Sequence, residues 1–231
     1  MRVVITGGAG FLGKLLAQKI LSRGQLNDAH GVLREVSELV LVDMTAAQDE
    51  PWLADSRVSQ VVGDIADRAV LARALTAATG SIFHLAAVVS GQAEADFDIG
   101  MRVNVDATRT LLELTRALPA PPKFVFTSSI AVFGGNLPAV LPDDQRLTPQ
   151  GSYGAQKAMG ELLVSDMSRR GMIDGRALRL PTITVRPGKP NKAASSFASG
   201  IIREPLAGVD AVCPVVPATR MWVQSPPRVI E

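Results

Sequence analysis

Cysteine, tyrosine, tryptophan and histidine are all scarce in this chain of 231 residues, which holds one, one, two and two of them. The single cysteine, Cys213, excludes an internal disulfide and a multi-cysteine metal site. Two histidines, His30 and His84, are too few for zinc chemistry to be expected. Neither is obviously paired with a nucleophilic serine, which argues against a serine hydrolase. No apolar run approaches the ~18 residues of a membrane-spanning helix. The apolar run after Met1-Arg2 stops at glycines beyond Ile5, so no signal peptide is expected and the cytoplasm is the expected compartment. Charge of neither sign dominates: 24 Lys+Arg stand against 22 Asp+Glu. No basic stretch interleaved with aromatics points to nucleic acid.

What remains is apolar and regular. Hydrophobic residues make up 47% and charged residues 20%, enough to bury a sizeable core. Short apolar runs alternate with segments of helical spacing. Strands are expected at 3–5, 38–43, 58–62, 81–85, 123–127 and 177–180. Helices are expected at 11–23, 68–78, 97–118 and 152–170, with Gly24 as a stop and with Asp67 and Ser152 as caps. A polar stretch, 25–37, is long for a connection. This alternation predicts an α/β fold, a Rossmann-type doubly wound parallel sheet covered on both faces. From Pro181 onward eight prolines break the pattern. Residues 1–180 are therefore expected to form a dinucleotide-binding domain, and 181–231 a small loop-rich cap with one helix near 195–206.

The glycines of Thr6-Gly7-Gly8-Ala9-Gly10-Phe11-Leu12-Gly13 sit between the first strand and the first helix. Gly7, Gly10 and Gly13 permit a tight turn and let backbone approach a pyrophosphate at the positive end of that helix. Asp43 ends the second strand, where a carboxylate accepts hydrogen bonds from adenosine ribose hydroxyls and repels a 2′-phosphate. No arginine follows in Met44-Thr45-Ala46-Ala47, so NAD is expected rather than NADP. Asp64 and Ile65 are candidates to flank the adenine, with a turn or cap role equally open for Asp64. Leu85, Ala86 and Ala87 end the fourth strand with small side chains, suited to a passing cofactor or to simple helix packing. Asn104 is an unfavoured residue for a helix interior and a candidate to bond a strand or water near the site. His84 reads as a core histidine.

The lone tyrosine, Tyr153, precedes Lys157 by four residues, which places both on one face of a helix. A phenol is a poor base at neutral pH. A nearby ammonium, and the positive charge of an oxidised nicotinamide, favour its deprotonated form. Tyr153 is thus a candidate to accept a substrate proton, Lys157 to hold the nicotinamide ribose, and Ser129 to bond the same substrate oxygen, with Ser128 and Thr127 as its competitors. Ser90 and Gln92 follow the fourth strand at the end where parallel sheets bind ligands. Arg186 is a candidate to grip a carboxylate with two parallel bonds, or merely to brace the loop at Pro187. Thr182 is a candidate nicotinamide contact.

The segments TGGAGFLG (6–13), LVLVD (39–43), GDI (63–65), FHLAA (83–87), Asn104, FTSSIAVFGG (126–135) and SYGAQK (152–157) resemble the extended short-chain dehydrogenase/reductase, or NAD-dependent epimerase/dehydratase, family. The resemblance runs along the whole chain. It adds Phe11 and Leu12 to the cofactor contacts and selects Ser129 over Ser128, four residues before Phe133, which stands where a tyrosine is more usual. Segments 86–104, 152–191 and 194–208 resemble a sugar-acid dehydrogenase branch of that family. This implies NAD-dependent oxidation of the C2 hydroxyl of a small sugar acid, such as D-erythronate, to the 2-keto acid. The alternatives are a nucleotide-sugar epimerase or dehydratase, and a non-catalytic NAD-binding protein of the same fold. The resemblance also implies a homodimer paired through two long helices. Family members usually run longer, so the substrate-binding part is expected to be truncated, with apolar residues exposed near 212–216 and 221–223.

Overall fold

Val3, Val4 and Ile5 are fully buried in β1 (Arg2–Thr6), and their alternation decides how the protein is layered. A strand sends successive side chains to opposite faces. Val3 and Ile5 join one apolar cluster with Ala17, Ile20, Leu39 and Leu41. Val4 joins the other with Val40, Leu111, Leu112, Phe124 and Phe126. Each such side chain contributes about 1.5–3 kcal/mol when removed from water. The computed structural model describes residues 1–188 and 193–231.

The elements alternate as expected. After β1 come α1 (Phe11–Arg23), β2 (Gln25–Asn27), β3 (Leu33–Glu35), β4 (Glu38–Asp43), β5 (Val58–Val62), α2 (Arg68–Ala74) and β6 (Thr79–His84). The second half holds α3 (Ser90–Ala95), α4 (Phe97–Gly100), a wide π turn (Met101–Asp106), α5 (Ala107–Arg116), β7 (Lys123–Ser129), α6 (Ser152–Arg169) and β8 (Asp174–Leu180). Last come β9 (Thr182–Ile183), α7 (Phe197–Leu206), β10 (Val223–Gln224) and α8 (Pro226–Ile230).

Six parallel strands lie in the order β5-β4-β1-β6-β7-β8. β1 is flanked by β4, with Val4 opposite Val40, and by β6, with Val4 opposite Ile82. Connections leave β1 toward β4 and β6 toward β7, in opposite directions, so a crevice opens at the carboxyl ends of β1 and β6. This is a Rossmann-type doubly wound α/β fold.

Several boundaries differ from expectation for identifiable reasons. Residues 25–37 are not an irregular stretch: β2 and β3 form an antiparallel hairpin, Gln25 opposite Glu35. It hangs beyond Gly24, whose φ of 70° and N–H bond to the Ile20 carbonyl (2.9 Å) end α1. α2 stops at Ala74, because the Thr76 N–H turns to the Thr79 hydroxyl at 3.0 Å and the chain enters β6 there. Asp67 caps α2 through the Ala69 N–H at 2.8 Å. Ser152 does not cap α6; it is the first helical residue, Gly151 holds the cap position, and the Ser152 N–H bonds Glu94 Oε2 at 2.8 Å.

Beyond β8 the pieces are short. β9 and β10 form a two-stranded parallel ladder, and α8 lies against α1. Apolar side chains stay in solvent here: Val212 is 83% exposed, Val216 69% and Trp222 57%, as expected for this stretch.

Candidate active site

The crevice is a cavity of about 940 Å³ running from the end of β4 to α6 and to residues 193–195 of the cap. Its floor is the glycine turn. Gly7 has φ 72°, and its N–H bonds the Val42 carbonyl at 2.8 Å. A Cβ on Gly7 would meet the Ala86 nitrogen at 2.8 Å, and one on Gly13 would meet the Gly7 carbonyl oxygen at 2.1 Å. Only glycine lets α1 start this close to the strand ends. Gly7, Gly10, Phe11, Leu12 and Gly13 all line the cavity.

At one end stands Asp43. One of its oxygens accepts from the Ala9 N–H at 3.0 Å and the other from the Met44 N–H at 2.8 Å, so the carboxylate is fixed over the turn. Asp64 and Ile65 line the same end, with Met44, Ile99, Arg102 and Val103. Asp64 is already committed to an ion pair with Arg102 and to the Ala66 N–H. Burial pushes its carboxyl up, but these two partners outweigh burial and hold it below the usual range. Arg102 was not among the expected residues. It joins Ile99 and Val103 in the lining because the wide turn at 101–106 sets which side chains face the cavity.

Leu85, Ala86 and Ala87 form the wall. Asn104, expected beside the cofactor, stands behind that wall rather than in it. Its Oδ1 accepts from the Val88 N–H at 2.9 Å, and its Nδ2 donates to the Val88 carbonyl (3.2 Å) and to Gln156 Oε1 (2.8 Å). Both ends of the amide are spent on protein partners. His84 is a core histidine, bonded to Thr6 at 2.6 Å and Thr108 at 2.8 Å.

At the other end Ser129, Tyr153 and Lys157 converge. Ser129 closes β7, and its Oγ accepts from the Ala131 N–H at 3.1 Å. Lys157 is 2% exposed, with its Nζ 4.8 Å above the Phe126 ring and 5.6 Å from the Tyr153 ring centre. Burial lowers its pKa to about 8. Burial pushes the Tyr153 phenol above its usual value; the Arg186 charge and a hydrogen bond with Ser129 oppose that. Ser128, the competing serine, is instead buried against Glu161.

Ser90, Gln92, Thr182 and Arg186 complete this end. The Ser90 hydroxyl accepts from the Ala194 N–H at 2.9 Å, tying the loop after β6 to the cap. Arg186 is held by its own N–H on Ser199 (3.0 Å) and its Nε on the Ile183 carbonyl (3.1 Å). Arg179 is unavailable to a ligand, since Glu161 takes it bidentately and Phe133 stacks beneath it.

These residues suit a dinucleotide. The turn is closed to any Cβ at Gly7 and Gly13, helix α1 points its free N–H groups at the cavity, and Asp43 presents a fixed carboxylate where a ribose would lie. Among the described residues no cluster of His, Cys, Asp or Glu could hold a metal ion, and no helix is long and apolar enough to cross a membrane.

Residues 3–222 match the NAD dependent epimerase/dehydratase family. The chain belongs to that family. Its cofactor is NAD, and it is an oxidoreductase. It is 62% identical over 226 residues to a D-erythronate dehydrogenase of Cupriavidus necator, covering 98% of this chain and 68% of that one. A D-erythronate dehydrogenase of Haemophilus influenzae is 47% identical, covering 100% and 70%. Among family structures, a nucleoside-diphosphate-sugar epimerase from Agrobacterium tumefaciens superimposes with a TM-score of 0.88 at 44% identity, over 100% of this chain and 67% of that one.

Proposed function

We propose that the protein oxidises the C2 hydroxyl of a small sugar acid, such as D-erythronate, to the 2-keto acid. The observation that carries this reading is that Ser129, Tyr153, Lys157 and Arg186 line the same cavity as the dinucleotide cradle. NAD, when bound, supplies the hydride acceptor. Tyr153 Oη takes the proton of the C2 hydroxyl, work typically worth ~10²–10⁴ in rate. The Lys157 ammonium stabilises the phenolate, and the Ser129 hydroxyl bonds the reacting oxygen. Arg186 holds the carboxylate with its planar fork, while Ser90 and Gln92 receive the remaining hydroxyls. Gly7, Gly10, Phe11, Leu12 and Gly13 receive the pyrophosphate, Asp43 the adenosine ribose, and Asp64 with Ile65 the adenine. Leu85, Ala86 and Ala87 flank the cofactor, and Thr182 meets its nicotinamide end.

In the same reading residues 1–180 bind the cofactor and 181–231 cap the substrate. Two copies pair through α5 and α6, where Leu162 is 68% exposed, and the protein works in the cytoplasm; sedimentation and cell fractionation check these two points. The decisive assay is NADH absorbance with D-erythronate and other four- to six-carbon aldonic and uronic acids. Stoichiometric NADH with one of these acids is expected. The likeness to the Agrobacterium epimerase favours one second reading, sugar epimerisation, in which NADH would not accumulate. No NADH from any acid would overturn the dehydrogenase assignment.

A further inference from the structure

Gln156 is a fully buried polar side chain in α6, 1% exposed, one residue before Lys157 and three after Tyr153. All three lie on one helical face. Burying an amide is unfavourable unless it is bonded, so its partners define its use. Its Oε1 accepts from Asn104 Nδ2 at 2.8 Å, and Asn104 in turn clasps both backbone groups of Val88. Among the described residues Gln156 Nε2 has no partner. Turning the amide over would not help, since two donors, Nε2 and Asn104 Nδ2, would then face each other. The acceptor therefore carries the interaction.

Two further features are built around this amide. A Cβ on Gly100 would lie 2.4 Å from Gln156 Nε2, so the glycine that ends α4 leaves the space the side chain fills. The wide turn Met101–Asp106 begins at the next residue and carries Asn104. Such turns within helices often mark functional positions. At the far end, Val88 and Val89 line the cavity and lead into Ser90 and Gln92.

We propose that Gln156 is a positioning residue. Through Asn104 it fixes the Val88–Gln92 loop at a set distance from Tyr153, and so sets the register of the substrate hydroxyls against the base. The register part rests on the proposed sugar-acid reading; the mechanical link does not.

The link is read by amide hydrogen exchange on the whole chain with no substrate present. Gln156→Met keeps the volume and removes the acceptor. Gly100→Ala displaces the amide by crowding it and serves if the first variant folds poorly. Loss of about one buried hydrogen bond, roughly 5-fold in an equilibrium, should speed exchange in residues 86–92 by that factor or more and leave β7 unchanged. Both variants should also raise KM for the acid by a similar factor, and by more than they raise Kd for NAD. Combining Gln156→Met with Asn104→Ala should be no worse than Asn104→Ala alone. Unchanged exchange at 86–92 in both variants would overturn the link, and so would faster exchange spread equally through β7. Faster exchange with an unchanged KM would overturn the register role. Absence of turnover by the unsubstituted protein on every acid would instead overturn the proposed function, and the exchange arm would still decide the link.

Discussion

The cavity has two unlike sides. The sheet side is made of strand ends that rise from a sealed core: below them Val4, Phe124 and Phe126 are fully buried, and Lys157 rests over the Phe126 ring. The cap side is made of β9, Arg186 and the 193–195 segment, backed by the short α7, whose end leaves Leu206 85% exposed and Val209 beyond it 57% exposed. Ser129 closes a strand of the first side, with Tyr153 and Lys157 beside it on α6, and Arg186 lies on the second; in the proposed reaction this puts proton transfer on the sheet side and carboxylate binding on the cap. A rigid scaffold with specificity on adjoining irregular segments is a common division of labour. Here it implies that the two sides fail differently when damaged.

The largest expected effect tests the rigid side. Tyr153→Phe should lower turnover by ~10²–10⁴ while leaving NAD affinity within a few fold, as read by steady-state rates and a binding titration. Near-normal turnover would remove the base from Tyr153.

Stability sharpens the contrast next. Phe124→Ala should cost about 3–5 kcal/mol by opening the core, whereas Leu206→Ser on the cap should fall within about 0.5 kcal/mol of zero. Urea unfolding of both variants checks this. A costly Leu206→Ser would show that the cap face is covered in solution.

Arg186→Ala should raise KM for the acid by roughly 10- to 100-fold, the worth of charge-assisted hydrogen bonds, with KM for NAD little changed. An unchanged KM for the acid would move the carboxylate elsewhere in the cavity.

A pH signature should be confined to the sheet side. Burial, with the Lys157 charge, lowers the His84 pKa to about 3. An unfolded histidine takes up its proton near ~6.5, so the unfolded chain holds the extra proton between those values and stability should fall as pH drops through that window. Lys157, lowered to about 8, works the same way higher up. Between about 8 and the unfolded value near ~10.4 the unfolded chain alone stays protonated, so stability should rise with pH there. Melting curves should show both limbs, and Lys157→Met should flatten the upper one.

Strands buried on both faces announce themselves as short apolar runs, and Gly24 and Asp67 mark ends by their own chemistry, so most of the sheet was legible in the sequence. The hairpin was not. Leu33, Arg34 and Glu35 are all exposed, and a strand with no buried face has no alternation to read. In the site, residues proposed for a generic chemical duty, such as the glycines, Asp43, Tyr153 and Lys157, could be singled out by type and spacing, and the structure brings them to one cavity. Asn104 could be expected to bond a strand or a water near the site, but its partners are Val88 after β6 and Gln156 on α6, contacts that packing sets. Gln156 and Arg102 escaped because their partners, 52 and 38 residues away in sequence, are set by packing.

The β2–β3 hairpin also offers a practical handle. It leaves the sheet at the amino ends of the strands, opposite the crevice, and its tip at Gly31 has φ 77° with nothing within 4 Å of where a Cβ would stand. Extra residues placed there would lengthen only a turn already in water, at a closing cost that grows slowly with length. A fluorophore or affinity peptide inserted between His30 and Gly31 should therefore report on the protein without entering its chemistry.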